Sequence, residues 1–459
     1  MDEEESRLAA EIAQLTGAEV LSLRRQARWR KAWFATVRSG GKQRELYIRG
    51  DKQLDAEPYP GLDREARIIA LFEENGLPVP HLYGMTQDPV GIVMDSVPGT
   101  RDVAQATDDA ERKRIAEDYI AVLARMHRLD VTPFVAAGIE KPEGPKAIAL
   151  SYLTPHLPLY RRTKSSPQPM IEWALRWVER NVPENRDRAC VIHGDPGQFL
   201  FEGGRLTCIH DFEATHIGDP MHDLAALRLR EGTEPLGADT DHLIRHYADL
   251  TGEPIDARAL SFHTAAFMLA AVMSLAGPLA NPKPADMQLE YLIWDVMCRR
   301  AMLHGIAEVM GATIAPAAEC SVPDTRGAIL WQVLDATIAR IDTQGDPVAS
   351  ADRAAARSLA EWGRIEACSG AERDARDLDR AAAILGYRPA SWRECDLALE
   401  RFVQSAGPEQ DAALFDYFTR QVESQAAASG PVRHRLSHYA LQPLRPVEAS
   451  VSRMPEVEA

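Results

Sequence analysis

The sequence predicts an α+β protein with a small N-terminal sheet unit, a larger helical unit and an all-helical C-terminal extension. Three observations lead to this prediction. Short strand-like segments dominate residues 1–98, helical periodicity dominates residues 99–342, and a nearly continuous helical pattern follows from residue 348. A Gln-Gly-Asp-Pro stretch at 344–347 is typical of a linker. We therefore expect three domains, at 1–98, 99–342 and 348–459.

The N-terminal unit is predicted from alternating apolar residues and strong turn signals. A helix is expected first, then three strands, of which the second and third are joined by a hairpin at Ser39-Gly40-Gly41. An amphipathic helix follows and stops at Asn75-Gly76, and the segment GIVMDSVPG is typical of a strand that runs into a turn. The expected ranges are 5–15 for the first helix, 20–26, 32–38 and 44–49 for the three strands, 63–74 for the second helix and 91–99 for the last segment.

The middle region contains clear helical patterns and one segment without them. DYIAVLARMHRL, at 118–129, is amphipathic, and another helix is expected at 170–181. Residues 140–169 are rich in proline and carry Arg161, Arg162 and Lys164, so they are predicted to form a long loop. These cations either meet an anionic substrate or form a solvated surface. The apolar run at 265–280 is expected to be a buried helix because it is short for a membrane span.

Composition limits the classes of function. The chain has 459 residues and a net charge of −16, which argues against a nucleic-acid binder with a basic surface. The acidic start Met-Asp-Glu-Glu-Glu is unlike a secretory signal. Six scattered cysteines without a CxxC pair favour reduced thiols. We expect a cytoplasmic protein that binds neither nucleic acid nor membrane; its oligomeric state is left open.

Two carboxylates on neighbouring turns are the strongest sign of chemistry. An apolar run ends in His-Gly-Asp at Asp195, and a predicted hairpin with a Glu-Gly-Gly turn ends at Asp211. This hairpin would bring both carboxylates to the mouth of a sheet. One can then accept a proton while the other holds a divalent cation, as phosphoryl transfer requires. The alternative is that these aspartates only form turns, but their ordered surroundings make the combination more specific.

Four motifs together resemble the aminoglycoside phosphotransferase-like family, which comprises kinases of small hydroxylated molecules. The resemblance extends from residue 1 to about residue 340. It implies a bilobal protein-kinase-like fold, ATP and Mg²⁺ as cofactors, and phosphate transfer to a hydroxyl group of a small molecule. The motifs are His193-Gly194-Asp195, Ile209-His210-Asp211-Phe212-Glu213, Gly218-Asp219-Pro220 and Asp223-Leu224-Ala225.

The resemblance also implies roles for individual residues of the central motifs. Asp195 would be the catalytic base and Asp211 would bind the magnesium ion that bridges the nucleotide phosphates. His193 would hold the loop. Asp223, in the first turn of a helix, would hydrogen-bond back to that loop.

The nucleotide site implied by the resemblance departs from the usual kinase pattern. Arg49 ends the third strand, where kinases carry a lysine, and Glu65 is its expected helix partner. Arginine can bind phosphate with two hydrogen bonds, so the exchange is chemically acceptable. The alternative is a surface arginine and an ordinary helix glutamate. Met94 and Ser96 lie in the segment expected to receive adenine through backbone groups.

The loop between the first two strands is a second departure, because it contains no glycine. Arg28, Arg30 and Lys31 either bind phosphate through their side chains or form a solvated basic turn.

Gln198 is the third departure. The family carries an asparagine five residues after the catalytic aspartate, where this chain has Leu200. Gln198 directly precedes the apolar strand, so we expect a loop shortened by two residues with Gln198 in the asparagine's place. Its amide oxygen is a ligand that Mg²⁺ accepts. The alternative is that Gln198 only hydrogen-bonds the turn.

Other functions remain open at this stage. The dipeptides His210-Asp211 and His222-Asp223 also occur in metal-dependent phosphohydrolases of the HD type. A non-catalytic nucleotide-binding protein is the second alternative, motivated by Arg49 and Gln198. The acceptor is expected to be a hydroxyacyl-CoA or an antibiotic-like molecule, and the extension at 348–459 has no assigned role.

Overall fold

A computed structural model describes residues 3–26, 30–52, 58–59, 61–283, 288–316 and 325–429. Within these residues the chain forms two compact units. The sheet unit contains residues up to 155 together with 183–260, and the helical unit contains 156–182 together with residues from 261 onward. This grouping differs from the expected domain boundaries, because the chain leaves the sheet unit, returns to it and leaves again.

The sheet unit begins with an antiparallel five-stranded sheet of strand order β1-β2-β3-β5-β4. Ser39 pairs with Lys42 to close the β2–β3 hairpin, and Gly40 and Gly41 supply the positive φ angles of its turn. Leu8 and Ile12 of α1 share a core with inward residues of the sheet. The elements are α1 (Glu3–Thr16), β1 (Glu19–Arg25), β2 (Ala32–Ser39), β3 (Lys42–Gly50), α2 (Leu62–Glu74), β4 (Leu82–Gln87) and β5 (Val90–Asp95).

The rest of the sheet unit consists of helices around two short strand pairs. β7 and β8 form a hairpin in which Phe199 pairs with Ile209, while β6 pairs with β9. A large apolar core joins α2, α3, β5 and the hairpin. The elements are α3 (Asp109–Met126), α4 (Thr132–Ala136), α5 (Gly144–Ala149), β6 (Cys190–Ile192), β7 (Phe199–Glu202), β8 (Arg205–Ile209), β9 (His216–Gly218), α8 (Met221–Glu231) and α9 (Thr240–Thr251).

The helical unit combines an early segment of the chain with its C-terminal helices. Trp173 of α7 donates a hydrogen bond from Nε1 to Asp411 Oδ1 at 3.0 Å, and Arg180 forms an ion pair with Asp411. The C-terminal helices therefore share a core with α7. The elements are α6 (Leu157–Thr163), α7 (Pro169–Arg180), α10 (Ala257–Ala280), α11 (Gln288–Met310), α12 (Ala328–Ala339), α13 (Pro347–Leu385), α14 (Trp392–Ser405) and α15 (Asp411–Ala428).

The prediction of a long loop at 140–169 is wrong. The segment contains α5 and α6, and the prolines mark helix starts, where a missing amide hydrogen costs nothing. Arg161 and Lys164 both bind Glu172, at 2.5 and 2.7 Å, so they connect α6 to α7. Arg162 is exposed.

The apolar run expected to be buried lies in α10. This helix is long and apolar enough to cross a membrane by length and composition, but 83% of its most apolar window is buried inside the protein. That burial favours a core helix. Cys190, Cys208, Cys298, Cys368 and Cys395, the cysteines within the described residues, are free thiols.

Candidate functional site

A cavity of about 700 Å³ lies in the sheet unit. Its walls come from β2, β3, α2, the segment that follows β5, and the β7–β8 hairpin. Its volume falls in the range of small-molecule sites. Six of the residues predicted from the sequence line it: Arg49, Glu65, Met94, Ser96, Gln198 and Asp211.

Arg49 is the centre of the ion-pair network in this cavity. It lies at the end of β3, and its side chain is buried rather than solvated. Its Nε donates to Glu65 Oε2 at 3.0 Å, and one terminal nitrogen donates to Asp211 Oδ1 at 2.5 Å. The structure therefore joins the third-strand cation, the α2 glutamate and the aspartate at the end of the hairpin.

Charge and backbone conformation both distinguish Asp211. Burial alone would raise the pKa of its carboxyl, but Arg49 and other cations outweigh burial and lower the pKa to about 2. Asp211 is therefore ionised at neutral pH. It adopts a left-handed backbone conformation, with φ 69°, that few side chains accept. Burial raises the pKa of Glu65 against the opposing charge of Arg49.

A second group of cations meets at Glu213, which was not predicted as a site residue. Arg30, only 2% exposed, donates to Glu213 at 2.5 Å, and Lys52 lies 2.8 Å from the same carboxylate. Arg49 also reaches it, at 3.1 Å. Arg30 thus points inward, whereas Lys31 forms an ion pair with Glu4. Arg28 lies outside the described residues.

The Asp195 side chain is 40% exposed and is held from two sides. Arg230 of α8 donates to Asp195 Oδ1 at 2.5 Å, and the amide nitrogen of Gln198 donates to Oδ2 at 3.2 Å. Arg230 also donates to the Pro196 carbonyl at 2.7 Å. Arg230 was not among the predicted site residues, because nothing in the helical LRLRE segment shows which arginine turns toward a loop.

Gln198 connects the two aspartates. Its side chain bonds Asp195, while its backbone carbonyl accepts a hydrogen bond from His210 N–H at 3.0 Å, next to Asp211. The structure therefore places Gln198 between the loop of Asp195 and the end of the hairpin, and its replacement of the family's asparagine stays a prediction. Asp195 is bound by the side-chain nitrogen of Gln198, and the side-chain oxygen takes no part in that contact.

Asp223 fixes the start of the loop that carries Asp195. Its buried carboxylate accepts the backbone amides of His193 and Gly194, at 2.7 and 2.9 Å, and bonds His127 Nε2 at 3.0 Å. Burial would raise the pKa of Asp223, but its hydrogen bond to His127 and the nearby histidines lower it well below the usual range. His193 is buried, bonds the His210 carbonyl at 3.1 Å and has its pKa lowered by burial.

Gly194 makes this turn possible. Its φ is 86°, and a Cβ atom there would lie 2.2 Å from the Ala214 carbonyl oxygen. Only glycine fits this close backbone approach.

The end of β5 and the segment after it leave fewer free backbone hydrogen-bonding groups for a ligand than the sequence predicted. Met94 is paired within the sheet, opposite Tyr47 and Leu82. Ser96 donates its backbone amide to the Glu45 carbonyl at 3.0 Å and its hydroxyl to the Glu45 carboxylate at 3.2 Å. The Ser96 amide therefore hydrogen-bonds within the sheet. A nucleobase would have to bind other backbone groups of this segment.

The histidines of the two HD dipeptides do not form a metal cluster. Among the described residues, no group of three or more His, Cys, Asp and Glu side chains is arranged to hold a metal ion. His222 bonds the Gly194 carbonyl at 3.1 Å instead. Asp211 and Gln198 both line this cavity, and a carboxylate and an amide oxygen are ligand types that a hard cation accepts.

Comparison with known proteins gives consistent matches. The model of the phosphotransferase enzyme family matches residues 34–263. A 180-residue segment is 26% identical to acyl-CoA dehydrogenase family member 11 of Rattus norvegicus and 27% identical to that of Homo sapiens. Each match covers 37% of this chain and 23% of the relative, so the chain spans under a quarter of these proteins.

The fold is shared with solved structures. A Ralstonia eutropha JMP134 protein assigned as an aminoglycoside phosphotransferase superposes with a TM-score of 0.53 at 18% identity. The superposition covers 67% of this chain and 99% of that protein. The α+β, protein-kinase-like fold expected from the sequence is confirmed.

Proposed function

Since the family model covers half of the chain, this protein belongs to the phosphotransferase enzyme family, and we propose that it transfers the γ-phosphate of ATP to a hydroxyl group of a small molecule. The observation that carries the proposal is that Arg49, Asp211 and Gln198 line one cavity, where Arg49 binds Asp211. Gln198 in turn donates a hydrogen bond to Asp195. This arrangement supplies a base, a metal ligand and a phosphate-binding cation.

In the proposed reaction, the acceptor hydroxyl oxygen attacks the γ-phosphorus of ATP. A new phosphorus–oxygen bond forms, the bond to the bridging β–γ oxygen breaks, and ADP leaves. The proton of the hydroxyl passes to the Asp195 carboxylate. Arg230 and Gln198 hold that carboxylate in place, and its 40% exposure leaves it open to a substrate.

The residues of the cavity fit a magnesium ion. Asp211 is ionised at neutral pH and the Gln198 amide offers a second oxygen, the ligand chemistry that Mg²⁺ prefers. The metal would offset the charge of the phosphates. Arg49 would exchange part of its contact with Asp211 for phosphate, while Glu65 keeps its guanidinium group oriented.

The acceptor proposed here is a hydroxyacyl-CoA thioester. Its support is the similarity to acyl-CoA dehydrogenase family members, whose name connects them with acyl-CoA substrates. Antibiotic-like molecules form the competing class. Both classes carry a secondary hydroxyl group, so the chemistry at Asp195 would be the same.

An acceptor screen tests the function. The purified chain is incubated with ATP, Mg²⁺ and either hydroxyacyl-CoA thioesters, aminoglycosides or macrolides, and acceptor-dependent ADP release is measured. We expect release with a hydroxyacyl-CoA and at least ~10²-fold less with Asp195→Asn, the scale of general base catalysis. Asp109→Asn is the matched control because Asp109 is 97% exposed.

Three outcomes contradict parts of the proposal. Release with an antibiotic alone would replace the acceptor class. ATP binding without turnover of any acceptor would favour the non-catalytic alternative. Hydrolysis of a phosphate ester without nucleotide, in the presence of zinc, iron or manganese, would favour an HD-type phosphohydrolase.

A further inference from the structure

A second cavity, of about 540 Å³, lies within the helical unit. Its volume falls in the range of small-molecule sites. Its walls come from the segment before α7 and from α7, α11, α14 and α15. Both α14 and α15 follow residues 34–263, the part of the chain that the family model matches. We call this space the α14 cavity, and its principal polar and aromatic residues are Gln168, Asp295, Arg299, Trp392, Asp396 and Gln421.

Asp396 is a carboxylate of the α14 cavity that lacks a partner. Among the described residues, it takes part in no hydrogen bond and no ion pair. Burial is the main reason that its pKa rises to about 6, so the carboxyl is still mostly ionised at neutral pH. The neighbouring charges are Arg299, which opposes the rise, and Asp374, Asp377 and Glu400, which add to it. Carboxylates therefore outnumber cations around Asp396, and a bound cation would offset them.

Arg299 does not supply the missing partner, because its nitrogens bind other groups. Its Nε donates to Asp295 Oδ2 at 2.8 Å, and a terminal nitrogen donates to Gln168 Oε1 at 3.4 Å. The other oxygen of Asp295, Oδ1, is buried and has no hydrogen-bond partner among the described residues. The cavity thus contains two carboxylates with unsatisfied acceptors. Because an unsatisfied acceptor is unfavourable, a ligand that donates hydrogen bonds is favoured.

Trp392 adds an aromatic surface to the cavity. It lies four residues before Asp396 in α14, so both side chains lie on one face of the helix. The Arg393 guanidinium group lies over the indole ring, 4.2 Å from its centroid. Trp392 is still 49% exposed, so part of its surface remains open to a ligand. Aromatic faces attract cations through the negative potential of the ring.

We propose that the α14 cavity binds an aliphatic polyamine. One ammonium group would donate to Asp396 and lie against Trp392, and another would donate to Asp295 Oδ1. The side-chain amide of Gln421, which takes part in no hydrogen bond with the described residues, offers a further acceptor. The net charge of −16 favours the approach of a polycation. The proposal gives the C-terminal extension a ligand-binding role.

Two other classes of ligand fit the cavity less well. Metal sites are built from clustered ligands, and no group of three or more His, Cys, Asp and Glu side chains that could hold a metal ion occurs among the described residues. A neutral sugar could stack on Trp392, but it would bring no positive charge to Asp396 and Asp295. The inference does not rest on the proposed phosphate transfer, because Asp195 and Asp211 belong to the sheet unit.

Isothermal titration calorimetry of the full chain with spermidine tests the site, at about 0.15 M salt to screen exposed charges. We expect a dissociation constant of about 10–500 µM. Asp396→Asn keeps the shape of the side chain but removes its charge, and it should raise the constant at least ~10-fold. Asp416→Asn is the matched control. It removes the same charge from α15, where Asp416 is 61% exposed and pairs with Arg420, and should change the constant less than about twofold.

Two further variants test the aromatic contact and guard against misfolding. Trp392→Ala should raise the dissociation constant ~3-fold or more, whereas Tyr387→Ala, which removes a ring that is 50% exposed and does not line the cavity, should leave it unchanged. If Asp396→Asn does not fold, Gln421→Lys takes its place. Its own ammonium group would occupy the cavity and should weaken spermidine binding to a similar extent.

Three results would overturn the proposal. The first is a wild type that binds no spermidine up to about 5 mM. The second is an equal effect of Asp396→Asn and Asp416→Asn, because spermidine would then only associate with the acidic surface. The third is tighter binding of glucose or 1,8-octanediol than of spermidine, lost in Trp392→Ala, because the cavity would then be a site for neutral molecules.

Discussion

Replacing Arg49 with alanine should destabilise the sheet unit by about 3–5 kcal/mol, the usual cost of removing one partner from a buried ion pair. The structure indicates why the cost is large. Arg49 serves Glu65, Asp211 and Glu213 together, and Glu65 is only 3% exposed. Without Arg49, Glu65 keeps Arg30 at 3.9 Å and the Phe212 amide at 3.2 Å. One amide hydrogen bond and a guanidinium group beyond hydrogen-bond distance do not replace the direct ion pair.

The same helix offers a matched control. Arg67 and Asp63 of α2 form an ion pair, but their side chains are 47 and 59% exposed. Water already solvates both partners, so Arg67→Ala should cost at most about 0.5 kcal/mol. The two substitutions remove the same kind of side chain near the same helix and differ mainly in burial.

Hydrogen exchange during urea titration measures the effect. Peptides from β3 and α2 report the unfolding of the sheet unit by itself, which a whole-chain signal from two units would not. A double-mutant cycle with Glu65→Ala should give a coupling of about 1–3 kcal/mol. Arg49→Ala could instead lower the free energy of unfolding no more than Arg67→Ala does. In that case the buried ion pairs do not hold Arg49 in place, and the proposal that Arg49 is pre-oriented for phosphate is wrong.

Three further predictions concern metal binding, acid stability and the helical unit. Gln198→Ala should raise the magnesium concentration for half-maximal ADP release, and Gln198→Asn should rescue poorly because its side chain is shorter; an unchanged magnesium titration would leave the glutamine a structural role. Burial lowers the pKa of His216 from 6.5 to about 3 in the folded state. Below pH 6.5 the unfolded state therefore binds a proton that the folded state does not, so the free energy of unfolding falls by up to about 1.4 kcal/mol per pH unit. His216→Gln should flatten that slope in urea titrations between pH 6 and 4, whereas a replacement of the half-exposed His81 should not. A chain truncated after residue 350 should be insoluble or lose cooperative unfolding of the helical unit, because the truncation removes Asp411, which binds Trp173 and Arg180. A soluble truncated chain in which α7 keeps its wild-type hydrogen-exchange protection would instead support an independent C-terminal domain.

Local rules predicted much of the fold. The β2–β3 hairpin follows from its Gly-Gly turn between alternating strands, and both its strands occur within two residues of the expected ends. The start of α14 follows from its N-cap residue, since the Ser391 side chain accepts a hydrogen bond from the Glu394 amide at 3.3 Å. These features depend on neighbours along the chain, so the sequence contains the information needed to find them.

Contacts between distant residues were not predictable in the same way. Arg230 meets Asp195 because α8 passes beside the loop, and Arg30 reaches Glu213 across 183 positions. The prolines of residues 140–169 were interpreted as loop formers, although proline also suits the first turn of a helix. The choice between those two roles depends on packing, which a single sequence does not show.

The hydrogen bonds of Asp223 bear on how much length variation is tolerated in the loop between β6 and β7. Because they fix the chain at His193 and Gly194, the direction in which the loop leaves β6 is set by the core and not by the residues that follow. Deletions between Asp195 and β7 can then change how far the side chain at position 198 reaches without moving Asp195, the proposed base. Glutamine at position 198, one methylene longer than asparagine, would compensate for such a deletion. Insertions upstream of Gly194 would lack this tolerance and should abolish activity even when the fold survives.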